Sequence, residues 1–502
     1  MKYPIGIQDF RKIREGDYVY IDKTQDIYNV LHNGNYYFLS RPRRFGKSLL
    51  LSTMKELYSG DAALFKGLWI EQNWDFAARQ RPVIWIKFAQ LAYKQRGVTQ
   101  VLINEIERIA EEFGVSLTGQ SLQAKFAELI KTLGQEKKVV LLIDEYDKPI
   151  IDFLDNIPQA EQNRNELKSF YSVLKDSDPY LELVFITGVS AFSKVSIFSD
   201  LNNLSDLTLH PRANTLVGFT QAEIEDTFRD PLAAHDMEQV KTWYNGYRWG
   251  AETTSYNPFS LLSFLDAGVY QNYWFATGTP TFLVKLMKEQ RLYDVRGQQL
   301  PESSLLAFDF TRIDPTTVLF QTGYLTISKI RREYGLYVLD YPNKEVRQSL
   351  QQYLLKIYLD YPTTPALVRV ADLRDALENN RIEEVVQTIN ALFAEIPYEH
   401  WQQPNEHFFH ALIHLTFSLL GVFIKSEVHS NRGRCDAIVE VERYLYALEF
   451  KRDQSAAEAL RQIETKGYLT PYADSAKQRV AVGINFSSTT KQIDEWEVRT
   501  FA

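Results

Sequence analysis

The sequence predicts an α/β protein in three parts: a mostly parallel, doubly wound sheet, a mainly helical middle region, and a smaller C-terminal α/β unit. Three observations predict it. Short apolar strands alternate with helical stretches up to about residue 188. Two of those strands run directly into chemistry-bearing loops, one Gly-Lys-Ser and one Asp-Glu. After Pro404 the order changes to a helix, three strand-like runs, another helix and a final strand.

In chain order, the aromatic and apolar NYYFLS (35–40) is followed by RPRRFGKS and then by LLLSTMKELYSG, whose apolar spacing is helical until Gly60. This reads as strand, loop, helix. PVIWIKF (82–88) is a second strand, one long amphipathic helical stretch covers Val98 to Leu133, and VVLLI (139–143) is a buried strand ending in DEYDKP. Another helix leads to the strand LELVFITG (181–188). Strands separated by helices pair in parallel, because a parallel neighbour needs a crossover. From about Phe219 the pattern is helical and aromatic, through WYNGYRWG (243–250), YNPFSLL (256–262), TGTPTFL (277–283) and FQTGYLTI (320–327), as in a lid. A polar helical stretch, about 345–403, precedes Pro404. The expected domains are therefore 1–218, 219–403 and 404–502.

A chain of 502 residues exceeds one ordinary core. Its 45% hydrophobic and 24% charged residues are those of a globular protein. A net charge of -8 argues against a surface that coats nucleic acid throughout, and leaves room for a local basic groove. A single cysteine, Cys435, excludes an internal disulfide and a cysteine zinc cluster, which suits a reducing compartment; the cytoplasm is the expected location. MKYPIGIQDF lacks a signal-peptide core, and VVLLI and LLGVFI (419–424) are too short to span a bilayer, so no membrane segment is expected.

In a Walker A loop, backbone N–H groups wrap phosphates, a lysine reaches the β- and γ-phosphates, and a Ser or Thr hydroxyl joins the magnesium shell. Gly46, Lys47 and Ser48 fit its second half, flanked by Arg43, Arg44, Phe45 and Leu49; the first glycine of the usual spacing falls on Arg41. GKS alone is a common tripeptide. It gains weight from Asp144 and Glu145 at the end of a buried strand, where Asp144 can hold Mg²⁺ and Glu145 can polarise the attacking water. Without the upstream GKS the same pair would read as a turn after a core strand. Thr187, at the end of the next strand, is either a γ-phosphate sensor or a strand-end turn before Gly188. Arg41, Arg43 and Arg44 could stabilise phosphate charge, serve a neighbouring copy in a homo-oligomer, or form a solvated loop face.

The second constellation is Asp436, at the start of CDAIVEVE, with Glu449 and Lys451, at the end of YLYALEFK. A hairpin turning near Arg443 would bring the two carboxylates together as Mg²⁺ ligands, with Lys451 on the face of Glu449. Such a site activates water and neutralises developing phosphate charge. Glu406 on the preceding helix could add a third carboxylate, and Gln462 on the following helix could orient water or substrate. An alternating acid and base on an exposed strand is the plain alternative. His407, His410 and His414 share a helix face and read as packing.

YIDKT (20–24), FLSRPRRFGKSLLL (38–51), LLIDEYDKP (141–149), FITGVSAFSKVS (185–196) and WYNGY (243–247) resemble the bacterial AAA-ATPase-like proteins that carry a C-terminal PD-(D/E)XK nuclease-superfamily domain. YNPFSLL, TGTPTFL, FQTGYLTI and YPNKEV (341–346) extend the resemblance through the middle, and GRCDAIVE, YALEFK and ALRQIETKGY extend it into the tail. The resemblance implies a P-loop NTPase sheet followed by a restriction-endonuclease-like fold, with Arg41 a normal occupant of the first Walker position. It makes Asp436, Glu449 and Lys451 counterparts of the nuclease motif, flanked by Glu406 and Gln462. The expected function is ATP binding and hydrolysis coupled to Mg²⁺-dependent cleavage of nucleic acid, with DNA the favoured substrate. The alternative is an ATP-driven switch whose C-terminal domain binds nucleic acid or a protein without cutting. A kinase or GTPase using the same loop is disfavoured by the Asp-Glu pair and the lack of a guanine-reading motif.

Overall fold

The computed structural model describes residues 1–501 except 192–196, 199–200, 202, 275–280, 291, 293–294, 307–312, 360–371, 395–422 and 431–432. The chain divides into two compact units, Met1–Phe282 with Arg296–Arg347, and Leu283–Val295 with Gln348–Ala502.

The first unit is built on β1 (Tyr36–Ser40), β2 (Val83–Lys87), β3 (Val139–Asp144), β4 (Leu181–Gly188) and β5 (Ser205–Asp206). Their order is β2-β3-β4-β1-β5 and every pairing is parallel. β1 and β3 are buried at every position, as strands covered on both faces must be. The crossovers include α1 (Lys47–Ser59), α2 (Val98–Glu112), α3 (Leu122–Leu133) and α4 (Ile157–Tyr171). Because the strands are parallel, the loops leaving β1, β3 and β4 emerge at one edge, where ligands of such sheets bind. β4 lies between β1 and β3, with Leu39 opposite Thr187 and Ile143 opposite Ile186.

The stretch expected as one helix from Val98 to Leu133 is two. Gly114, in the left-handed region at φ 67°, ends the first, and Ser121 caps the second by accepting from the Ala124 N–H. A second apolar cluster, in which Ile21 joins Phe228, Trp243, Tyr256 and Phe264, is shared by α5 (Gln221–Thr227), α6 (Met237–Tyr244) and α7 (Pro258–Ala267). Beyond it, α8 (Pro315–Thr322) stops at Gly323, φ 91°, and strands on both sides of α8 in the chain form a small antiparallel sheet that the sequence reading did not anticipate. It comprises β6 (Gln299–Pro301), β7 (Thr326–Arg331) and β8 (Leu336–Asp340), in the order β6-β8-β7.

The second unit contains α9 (Ile382–Ala394), β9 (Phe423–Ser430), β10 (Gly433–Glu440), β11 (Tyr444–Arg452), α10 (Ala456–Lys466), β12 (Gln478–Ser487) and β13 (Gln492–Phe501). The sheet runs β13-β12-β11-β10-β9. Only β11 and β12 pair in parallel, and α10 connects them. One final strand was expected and two are present. β13 is an edge strand exposed along most of its length, and its alternation is short, with Trp496 and Val498 set among Glu495, Glu497 and Arg499. The helix expected over 405–420, with Glu406, His407, His410 and His414, lies outside the described residues. No helix among the described residues is long and apolar enough to cross a membrane.

Candidate functional site

The loop from Arg41 to Gly46 joins β1 to α1, and Gly46 stands before the helix in the left-handed region, φ 95°. No side chain caps this N-terminus, so the first-turn N–H groups of a 13-residue helix are available to an anion. A Cβ on Gly46 would meet nothing within 4 Å, so the glycine is required by its backbone angle, and the space beyond it is open. Lys47 is buried, and its Nζ donates to the carbonyls of Arg41 and Pro42, both at 2.9 Å. Burial pulls its pKa down, against the opposing pull of Glu145, Asp144 and Asp147.

Two further loop carbonyls, those of Arg43 and Phe45, are bound from the region after residue 208. The Trp274 indole N–H donates to the Arg43 carbonyl at 3.2 Å and the Asn257 amide at 3.5 Å, while the Gly218 N–H donates to the Phe45 carbonyl at 3.1 Å. The Phe45 ring meets Tyr247 and Trp249 edge-on, at 4.7 and 5.2 Å between centroids. A Cβ on Gly323 would come within 2.6 Å of the Pro42 ring, so that approach requires glycine. The aromatic motifs that read as lid sequence therefore strap the loop.

Arg41 belongs to the strap. Its guanidinium donates to the carbonyls of Ser40, Thr208 and Ala213 at 2.9, 2.7 and 3.0 Å, and lies 4.1 Å from the Trp249 ring centre. Burial lowers its pKa to about 9, partly opposed by Asp206. Buried and bound by three backbone carbonyls, Arg41 is a structural pin, a role not among the three the sequence left open, and its burial rules out a solvated loop face. Nothing local in the sequence signals this, because Thr208 and Ala213 lie more than 160 residues away.

A cavity of about 380 Å³ opens over the loop, within the range of small-molecule sites. All the residues from Arg43 to Leu49 line it, together with Glu145, Lys148 and Lys23. Arg44 stacks over the Phe259 ring at 4.6 Å. Asp144 ends β3 and accepts the Thr187 hydroxyl at 2.8 Å, so Thr187 is joined to the acid beside it. Glu145 follows in the left-handed region, φ 55°, an uncommon conformation for a non-glycine residue. Burial raises its pKa, with Lys47 the largest opposing influence. Asp147, which the sequence reading did not single out, fixes this turn to the end of β4. Its carboxylate accepts from the N–H groups of Val189 and Ser190 and from the Ser190 hydroxyl, at 3.0, 2.7 and 2.7 Å.

In the second unit, β10 and β11 form the expected hairpin, closed where the Val441 N–H donates to Tyr444. Continuing the register from Ala437 opposite Leu448 puts Asp436 opposite Glu449. The two carboxylates brace the strands. The Phe450 N–H donates to Asp436 at 2.8 Å, and the Asp436 N–H to Glu449 at 3.3 Å. Lys451 Nζ lies 3.4 Å from Glu449 and donates to the Gln462 amide oxygen at 2.6 Å, while Gln462 Nε2 donates to Glu449. Tyr468, absent from the sequence reading, accepts a second bond from Gln462 at 3.3 Å. Burial and the neighbouring Asp436 raise the Glu449 pKa to about 7. No group of three or more His, Cys, Asp or Glu suited to a metal ion occurs among the described residues. Two facing carboxylates nevertheless fit Mg²⁺, which commonly binds one or two carboxylates with water and substrate phosphate.

Residues 4–198 match the family model described as a predicted AAA-ATPase, and residues 404–496 match that of the PD-(D/E)XK nuclease superfamily. The chain is 38% identical over 508 residues to an uncharacterized protein in the vnfD 5' region of Azotobacter chroococcum mcd 1, covering 98% of each chain. No solved structure matches.

Proposed function

This chain belongs to the family of predicted AAA-ATPases with a C-terminal PD-(D/E)XK nuclease-superfamily domain, and from that premise we propose that it is an ATP-controlled, Mg²⁺-dependent nuclease acting on DNA. The observation that carries the reading is that one chain holds two separate acid-lysine constellations, Lys47 with Glu145 and Lys451 with Glu449.

At the first, the loop N–H groups and Lys47 would hold the phosphates of ATP, assisted by Arg43 and Arg44. Ser48 and Asp144 would complete a Mg²⁺ shell, Thr187 would orient Asp144, and Glu145 would take the proton of the attacking water. Its raised pKa strengthens it as a base at neutral pH. At the second, Asp436 and Glu449 would hold Mg²⁺, with Glu406, which lies outside the described residues, as the third carboxylate the sequence suggests. Bound there, the ion would supply positive charge at the scissile phosphate. Lys451 would orient the nucleophilic water and offset charge on the phosphate, while Gln462 holds Lys451 and Glu449 in place. We further propose that the protein works in the cytoplasm, as a homo-oligomer.

The net charge of -8 favours a second reading, an ATP-driven switch whose C-terminal domain binds without cutting. Purified full-length chain, incubated with Mg²⁺ and linear DNA, separates the two. Cleavage lost in Asp436→Ala, with ATP hydrolysis retained, supports the nuclease; unchanged cleavage in that variant sinks it.

A further inference from the structure

The wall of the N-terminal cavity carries several cations, and most are held in place. Lys47 is bound by loop carbonyls, Lys23 by both oxygens of Glu223 at 2.5 and 2.7 Å, and Arg44 lies over Phe259. Lys148 differs. It is partly exposed, its ammonium is 3.5 Å from Asp152, and Asp152 has closer partners in the Tyr93 hydroxyl at 2.8 Å and Lys94 at 3.0 Å. Withdrawing Lys148 from Asp152 therefore leaves that carboxylate satisfied. Its backbone, by contrast, is fixed: the Lys148 N–H donates to the Glu145 carbonyl at 3.0 Å, and the preceding Asp147 is tied to Val189 and Ser190. A flexible ammonium on a rigid turn thus shares the cavity wall with Glu145 and Lys47.

We propose that Lys148 leaves Asp152 when a nucleoside triphosphate binds and engages its terminal phosphate, acting within the chain as the charge-stabilising cation of phosphoryl transfer. The inference rests on the cavity being the ATP site. In the step it serves, the water oxygen forms a bond to the γ-phosphorus as the bond to the β,γ-bridging oxygen breaks. The water proton passes to Glu145, and ADP and phosphate leave. Negative charge that builds on the bridging oxygen and the terminal oxygens is met by the ammonium of Lys148, which is worth most where it contacts charge developing in the transition state.

The test uses the full-length chain with Mg²⁺, fluorescent ATP and ADP analogues, and steady-state ATP hydrolysis. Lys148→Ala should lower kcat on the order of 100-fold, with a smaller rise in KM for ATP, and should reduce the preference for the triphosphate over the diphosphate. Lys148→Arg should recover part of both. Asp152→Asn, which releases the lysine, should hydrolyse ATP at least as fast as the wild type. Equal losses in Lys148→Ala and Asp152→Asn would reduce Lys148 to a structural ion pair and overturn the proposal. So would unchanged turnover and unchanged triphosphate preference in Lys148→Ala. If the wild type binds neither nucleotide, the ATP reading itself fails and takes this proposal with it.

Discussion

In the N-terminal unit the ammonium of Lys47 rests on two backbone carbonyls, whereas in the C-terminal unit that of Lys451 sits between a carboxylate and the amide oxygen of Gln462. The consequence appears in the titrating groups. Lys47, with no carboxylate as a direct partner, is pulled down by burial. Glu449 is pushed up to about 7 despite its lysine, because Asp436 adds repulsion to burial. On the proposed reading, a nucleotide phosphate would give Lys47 the anion it lacks as a direct partner, and a divalent metal would relieve the repulsion between Asp436 and Glu449.

The largest effect expected from this contrast is at Lys47. Lys47→Ala should weaken nucleotide binding by at least about 100-fold, as read by titration with a fluorescent analogue, and tight binding by that variant would show that the carbonyl-held lysine is structural. Glu145→Gln should keep that binding while slowing ATP hydrolysis by roughly 100- to 1,000-fold. Normal turnover would place the base elsewhere. Trp249→Ala removes the ring against Arg41 and Phe45 and should cost about 3–5 kcal/mol, seen as a lower midpoint for the N-terminal unit in thermal or urea unfolding. An unchanged midpoint would break the picture of a strapped loop.

The smallest effect is on pH-dependent stability. Glu449 has a folded pKa of about 7, above its ordinary value of 4.5, so the folded state binds its proton more tightly. That contribution is complete below pH 4.5 and is lost as pH rises through about 7. At pH 8 the ionised carboxylate therefore opposes folding by up to roughly 3 kcal/mol. Glu449→Gln should raise the melting midpoint of the C-terminal unit at pH 8 and leave it nearly unchanged at pH 4, and Mg²⁺ should stabilise the wild type only. Glu345 of the N-terminal unit is raised to a similar value by burial. The difference between Glu449→Gln and wild type, followed by a probe of the C-terminal unit, isolates Glu449.

What the sequence disclosed followed the range of the interactions. Gly46, Lys47 and Ser48 are contiguous, as are Asp144 and Glu145, and a buried parallel strand brings each group to the same sheet edge. The hairpin was readable because Asp436 and Glu449 are separated by a short turn, and a period of two fixes which side chains share a face. Arg41 was not, because its meaning depends on Thr208, Ala213 and Trp249. The three-stranded sheet escaped notice because a helical reading of FQTGYLTI runs through Gly323, where α8 ends, and because β6 is only three residues long. The break that Gly114 opens between Glu112 and Leu122 was overridden by apolar spacing on both sides. Lys148 and Asp147, within DEYDKP itself, could have been weighed beside the acidic pair; only the structure distinguishes the pinned aspartate from the lysine on the cavity wall.

The most direct test of nucleotide control is the rate of Mg²⁺-dependent DNA cleavage by full-length protein without nucleotide, with ATP, and with ATP in the Glu145→Gln variant. The account predicts that ATP changes the wild-type rate, that Glu145→Gln holds the ATP-bound rate after wild type has exhausted its ATP, and that Asp436→Ala cuts in none of these states. Cleavage by Asp436→Ala equal to wild type, or no cleavage by wild type in any nucleotide state, would contradict it.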